Sequence, residues 1–220
     1  MKNIIAVYTG QGLAGPLQKA FKEGIRDIQY NNIIDDTLIR DVIRAGKLTP
    51  AVIKRLTQYF MIAQDMGADL IINTCSSVRE IVDIAQPMID VPIVKIDDAM
   101  GDEVVSNYKS VAVMATIPTT LMPTMRMIKE KALKAGKDIK IVSGLAEGAY
   151  DALVSGDPEG HDRAILETAE MLADEVECFV LAQGSMGRMQ EGLMKASGKP
   201  VLASPPLCVK QVGAMLEEMK

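Results

Sequence analysis

Cys75 closes the apolar run Leu70–Asn73 within the segment Asn73-Thr74-Cys75-Ser76-Ser77. Ser77, followed three residues later by Glu80, reads as a capping box that opens a helix. A sulfur beside a helix N-terminus meets unpaired amides and the positive end of the dipole. These lower a thiol pKa from its free value of about 8.5 and also attract carboxylates. The alternative is a buried, inert cysteine. Ser185 lies in a comparable loop, Gln183-Gly184-Ser185-Met186-Gly187, as a ligand-facing hydroxyl or a turn residue.

Three further groups could take part. Thr116, Thr119 and Thr120 follow the run Val111–Ala115, where they either grip a carboxylate or cap a helix at Pro123. His161, the single histidine, follows Asp157-Pro158-Glu159-Gly160; it is either a general acid or a first-turn residue packed on Asp162. The loop Thr9-Gly10-Gln11-Gly12-Leu13-Ala14-Gly15 fits the dinucleotide glycine pattern, with Asp35 twenty residues on. A glycine-rich turn can equally cradle a small carboxylate through its amides. Asp35-Asp36 and Asp97-Asp98 read as solvated pairs rather than ligand contacts.

The bulk properties narrow the partners. The chain has 220 residues, 48% hydrophobic and 24% charged, with net charge −5. Lys and Arg are scattered, which argues against a nucleic-acid surface. No apolar stretch is long enough to cross a bilayer, and Met1-Lys2-Asn3 leads straight into a strand without a leader. Three separated cysteines, Cys75, Cys178 and Cys208, imply a reducing, cytoplasmic setting. One histidine and no cysteine cluster imply no metal site.

Short buried-type strands position these loops. Ile4–Tyr8, Leu70–Asn73, Ile93–Ile96, Val111–Ala115, Ile139–Val142, Phe179–Ala182 and Val201–Ala203 are apolar on both faces, and Ile33-Ile34 would add an eighth. Helices alternate with them. One is capped by Thr49 with Pro50 at its first position and stopped by Gly67; a second spans about 123–136; a third starts near His161. This pattern predicts an α/β fold of mainly parallel sheets flanked by helices. The halves also repeat. Cys75 and Ser185 are 110 residues apart, and Pro92 and Pro200 are 108 apart. We therefore expect two lobes, 1–97 with the C-terminal helix 206–220 and 98–205, enclosing a cleft.

The segments Asn73–Ser77, Val113–Thr120, Gly156-Asp157 and Leu181–Met186 resemble those of the aspartate/glutamate/hydantoin racemase superfamily, across nearly the whole chain. The resemblance implies two pseudosymmetric lobes with the active site between them and a cysteine from each facing the substrate. Cys75 matches the first-lobe cysteine, and Ser185 falls where the second is expected. Thr9, Gly10, Gln11, Ser76, Ser77, Thr116, Thr119 and Met186 match substrate-binding positions. The implied enzyme is a cofactor-independent racemase or epimerase acting through an enediolate on a small carboxylic acid, with Cys75 as acid/base and His161 as a further acid/base candidate. A homo-oligomer, often a dimer, is implied too. Serine is a poor substitute for a thiolate, so a one-cysteine decarboxylase or lyase is the alternative. A non-catalytic nucleotide- or acid-binding module is the second.

Overall fold

The structure, a computed structural model, describes residues 1–219 and divides into two compact units. The first comprises Met1–Asp98 with the chain from Pro205 onward, and the second comprises Ala99–Ser204.

The first unit runs β1 (Lys2–Tyr8), α1 (Ala14–Gly24), β2 (Ile28–Ile34), α2 (Thr37–Ala45), α3 (Pro50–Asp65), β3 (Leu70–Asn73), α4 (Glu80–Ala85) and β4 (Ile93–Lys95). Its strands are all parallel, in the order β2-β1-β3-β4. Successive strand residues point to opposite faces, and both faces of β1 are covered. Ile5 and Val7 pack with Leu38, Val42, Leu56, Phe60 and Ile81 of α2, α3 and α4. Ile4, Ala6 and Tyr8 pack with Leu17 and Phe21 of α1 and with Cys208, Val212 and Leu216 of the C-terminal helix. Each fully buried side chain of this size contributes about 1.5–3 kcal/mol. α3 is framed as its sequence predicts. Thr49 Oγ1 accepts from the Val52 amide at 3.3 Å, Pro50 opens the helix, and Gly67 stops it with φ +78°.

The second unit runs α5 (Asp98–Asn107), β5 (Ser110–Ala115), α6 (Pro118–Lys134), β6 (Lys140–Leu145), α7 (Ala149–Val154), α8 (Pro158–Leu172), β7 (Cys178–Leu181), α9 (Gln190–Ser197) and β8 (Val201–Ala203). The C-terminal helix α10 (Ser204–Glu218) then returns to the first unit. The second sheet repeats the topology of the first, parallel in the order β6-β5-β7-β8. Ala112, Met114, Phe179 and Leu181 form its core with Ile165 and Ala169 of α8 and Leu193 of α9.

Four expectations are corrected. β2 spans seven residues rather than Ile33-Ile34, because as an edge strand it carries polar Gln29, Asn31 and Asn32 among its apolar residues. β6, the corresponding edge of the second sheet, extends to Leu145. Its Gly144 lies so close to β5 that a Cβ there would meet Met114 Sδ at 2.5 Å and the Val113 carbonyl at 3.0 Å. α6 begins at Pro118, with Pro123 inside it. Pro123 has no N–H for the Thr119 carbonyl, and burial of Leu121, Thr124, Met127 and Ile128 holds the helix across that gap. α8 begins at Pro158, capped by the Asp157 side chain accepting from the Gly160 amide, so His161 sits within its first turns.

Candidate functional site

The topology fixes where a ligand would go in each unit. From β1 the chain leaves toward β2, and from β3 it leaves toward β4 on the other side. The loops after β1 and β3 therefore part at the carboxyl ends of the strands, the usual ligand crevice of open α/β sheets. Thr9 and Cys75 flank that point, one strand apart: Val7 pairs with Asn73, two residues before each. The loops after β5 and β7 part in the same way.

Cys75 is the one partly exposed cysteine; Cys178 and Cys208 are buried. The Cys75 sulfur is approached by the Thr9 and Ser77 hydroxyls and by the Ser77 and Val78 amides. Desolvation nonetheless outweighs these donors, and the thiol pKa is raised above its ordinary value. That reverses the lowering expected from a helix start, because burial of the sulfur outweighs the amides and hydroxyls that favour its thiolate. Ser76–Val78 form a 3-10 turn, and α4 begins only after Arg79. The resting group is therefore a thiol held in a shell of donors suited to its thiolate.

The loop is anchored on three sides. Asn73 Nδ2 donates to the Cys75 carbonyl at 3.1 Å. Thr74 donates to the Val7 carbonyl through its amide at 3.2 Å and its hydroxyl at 2.9 Å. Arg79 Nε lies 3.3 Å from Asp97, and Arg79 Nη2 lies 2.8 Å from Asp98. Asp97 is 1% exposed, so this pair is a buried ion pair under the cysteine loop rather than solvated surface.

The first glycine loop does not carry the geometry of a dinucleotide fingerprint. Gly10, Gly12 and Gly15 all avoid positive φ, and a Cβ at Gly12 or Gly15 would meet nothing within 4 Å. No tight turn or close helix approach requires glycine there. Asp35 is also engaged. It accepts from Thr37 and from Tyr59 Oη at 3.0 Å, and lies 3.1 Å from Arg55 Nε. Burial works to raise its pKa, but Thr37, Tyr59 and Arg55 together hold it below the usual carboxylate value. Gln11 Nε2 donates to Asp36 at 2.7 Å, which fixes the outer part of the loop.

In the second unit Ser185 is exposed, on a 3-10 turn spanning Gly184–Met189. Met186, expected beside a substrate, is buried in the core of the sheet. Thr119, in the first turn of α6, has a buried hydroxyl oxygen without a hydrogen-bond partner. Thr116 is occupied: Gln183 Oε1 accepts from its amide at 2.7 Å and its hydroxyl at 3.1 Å, and Gln183 Nε2 lies 3.0 Å from its oxygen. His161 is buried, with Nδ1 2.7 Å from Asp162 Oδ1. The same Nδ1 also lies 3.3 Å from Arg188 Nη2. Asp162 also holds both terminal nitrogens of Arg188, from the Ser185 turn. Arg188 keeps the Asp162 carboxyl below its usual range.

Backbone hydrogen bonds give the correspondence between the units. Asp69 N donates to Asn3 O and Glu177 N to Ser110 O. Thr74 N donates to Val7 O and Ala182 N to Met114 O. Val78 N donates to Cys75 O and Met186 N to Gln183 O. Cys75 (φ −130°, ψ 118°) and Gln183 (φ −113°, ψ 126°) each lead into the 3-10 turn. The counterpart of Cys75 is therefore Gln183, and Ser185 corresponds to Ser77, one of the donors to the sulfur. The residue-type match that paired Cys75 with Ser185 is displaced by two positions.

Among the described residues, no group of three or more His, Cys, Asp or Glu side chains could hold a metal ion, and no helix is long and apolar enough to cross a membrane. A family profile described as Asp/Glu/Hydantoin racemase matches residues 19–212. No curated protein matches the sequence significantly. Solved structures do. Glutamate racemase from Francisella tularensis, in complex with D-glutamate, is 19% identical, with a TM-score of 0.74 over 99% of this chain and 82% of its own. Picrophilus torridus aspartate racemase is 13% identical, with a TM-score of 0.75 over 97% of this chain and 95% of its own. Allantoin racemase from Klebsiella pneumoniae is 12% identical, with a TM-score of 0.72 over 100% of this chain and 89% of its own. At such identities the likeness is one of fold.

Proposed function

The chain belongs to the Asp/Glu/Hydantoin racemase family, and from that premise we propose that it is a cofactor-independent, racemase- or epimerase-like enzyme that moves a proton at the α-carbon of a small carboxylic acid, with Cys75 as the acid/base group. The observation that carries this reading is the shell of donors around the one partly exposed sulfur. In the proposed step the Cys75 thiol first gives its proton to solvent; the thiolate then takes the α-hydrogen, the electron pair moves into the carboxylate to form an enediolate, and the thiol so formed returns a proton to carbon. Loop donors stabilise the extra charge; each well-placed one lowers the barrier by about 3 kcal/mol. Thr9, Gly10, Gln11, Ser76 and Ser77, all in the unit that carries Cys75, supply those donors in this reading. His161 is the candidate for a further acid/base group.

The test is deuterium entry at the α-carbon in deuterium oxide, with chelator present and no cofactor added. The panel is L- and D-aspartate, L- and D-glutamate, and both enantiomers of lactate. We expect at least one acid to exchange, and Cys75→Ala to slow exchange by about 10²–10⁴-fold. Full turnover by Cys75→Ala would refute the assignment. A second reading, decarboxylation with Cys75 delivering the only proton, is favoured by the absence of a thiol at the Gln183 position. Carbon dioxide release from phenylmalonate would select it.

A further inference from the structure

Strand register in the first unit sets two further residues level with Cys75. Val7 pairs with Asn73, and Asn73 pairs with Lys95. The ladder runs on past the strand ends, since Thr74 N donates to Val7 O and Ile96 N donates to Asn73 O. Two residues beyond that row, Thr9, Cys75 and Asp97 follow in register after β1, β3 and β4. Thr9 reaches the sulfur directly. Asp97 instead holds Arg79, whose Nε lies 3.3 Å from both carboxylate oxygens. Arg79 closes the cysteine turn. Its amide donates to Ser76 O, and Val78 N, one residue earlier, donates to Cys75 O. Arg79 and Asp97 are both buried.

The turn itself does not require this pair. The second unit forms the same turn, with Met186 N donating to Gln183 O. The residue matching Arg79 there is Gly187, and two places past the last strand, where the first unit has Asp97, stands Pro205. Arg188 grips Asp162 of α8 from a half-exposed position instead. A buried ion pair recovers little of its desolvation cost as stability, so its place under the cysteine turn calls for another role. We propose that Arg79 and Asp97 are positioning residues for Cys75: by tying the turn to the end of β4, they keep the Ser77 and Val78 amides aimed at the sulfur. This rests on the reading above, in which Cys75 carries the proton.

The experiment reads the pH midpoint of Cys75 alkylation by iodoacetamide, with urea unfolding of the same samples, in Arg79→Met and in Arg79→Met/Asp97→Leu. Replacing both partners by apolar residues leaves no buried charge unpaired and should bring stability back to near native. The midpoint should nevertheless stay about one pH unit above native in both variants, the worth of a hydrogen bond to a charged group. The double variant removes one charge of each sign, so local net charge does not account for that rise. A merely structural pair gives a different result: the midpoint returns with stability, or falls as a looser turn lets water reach the sulfur. Either outcome in the folded double variant would overturn the inference. Arg79→Lys keeps the charge but not the fork that spans Asp97 and Asp98, and it decides the matter if the double variant does not fold. Its midpoint should also rise, and no rise there would overturn the inference. The functional reading fails separately: midpoints that move as expected, with full turnover by Cys75→Ala, would leave a positioned thiol that does not carry the reaction.

Discussion

The loops after β3 and β7 share a backbone and differ in what their side chains do with it. Both leave a buried strand, pass through two residues of which the second is extended, and enter a 3-10 turn. In the first, the extended residue is a cysteine, and the threonine just after the neighbouring strand turns its hydroxyl to the sulfur. In the second it is a glutamine, which takes up the amide and hydroxyl of the corresponding threonine. The anchors differ as well. Arg79 is buried against Asp97, whereas Arg188 is half-exposed as it grips Asp162. A repeated backbone supplies equivalent positions; side-chain type and burial decide which of them can move a proton.

The largest expected effect separates the two anchors. Arg79→Ala leaves Asp97 buried without its partner and should cost about 3–5 kcal/mol. Arg188→Ala breaks a solvated pair and should cost about 1 kcal/mol or less. Urea unfolding of both variants checks this, and equal losses would break the contrast.

Next come the threonines. Thr9→Val removes a donor that favours the thiolate. A hydrogen bond to a charged group is worth about 1.5–3 kcal/mol, so the pH profile of Cys75 alkylation should move up by about 1–2 units. Thr116→Val should leave that profile unmoved. Iodoacetamide labelling followed by peptide mass spectrometry reads Cys75 apart from the two buried thiols. A shift with Thr116→Val would mean that the second loop reaches the sulfur.

The smallest effect concerns those buried thiols. Burial pushes the Cys178 thiol up to about 12 and also raises Cys208, with Asp97 and Asp98 adding to the latter. The unfolded thiol titrates at about 8.5, so the folded state binds the proton more tightly. Stability from this source is fully present below about pH 8.5 and is lost as pH climbs toward the folded values. Between pH 7.5 and 9 the loss should be about 1 kcal/mol per buried thiol, visible as a falling Tm. Cys178→Ala and Cys208→Ala should each flatten that fall, one from each unit. A fall unchanged by either would assign it to other groups.

Much of the fold was legible because its central strands are apolar on both faces. Residues 4–8, 70–73, 111–115 and 179–182 stand out for that reason, and all lie within or against observed strands. The edges were less legible. β2 mixes Asn and Gln with Ile, since only one side of an edge strand must satisfy a neighbour. Helix starts slipped where two signals competed: Pro118 opens α6 although Pro123 lies in the same helix. At the candidate site, the strand-end place of Cys75 was readable, but its raised pKa was not, because desolvation depends on what packs around the sulfur. Asp97 looked like surface and proved to be buried, since its partner Arg79 lies 18 residues away.

By itself, the sequence determined that the chain forms two parallel-sheet α/β units and that Cys75 ends a buried strand. Local residue type and periodicity suffice for that, because they reflect what each segment must bury. Only the tertiary structure decided that Gln183, and not Ser185, corresponds to Cys75. Register is set by hydrogen bonds between strands distant along the chain, Thr74 to Val7 and Ala182 to Met114. Matching residues by chemical likeness across two halves carries no information about those bonds, and a slip of two leaves every strand side chain on its original face.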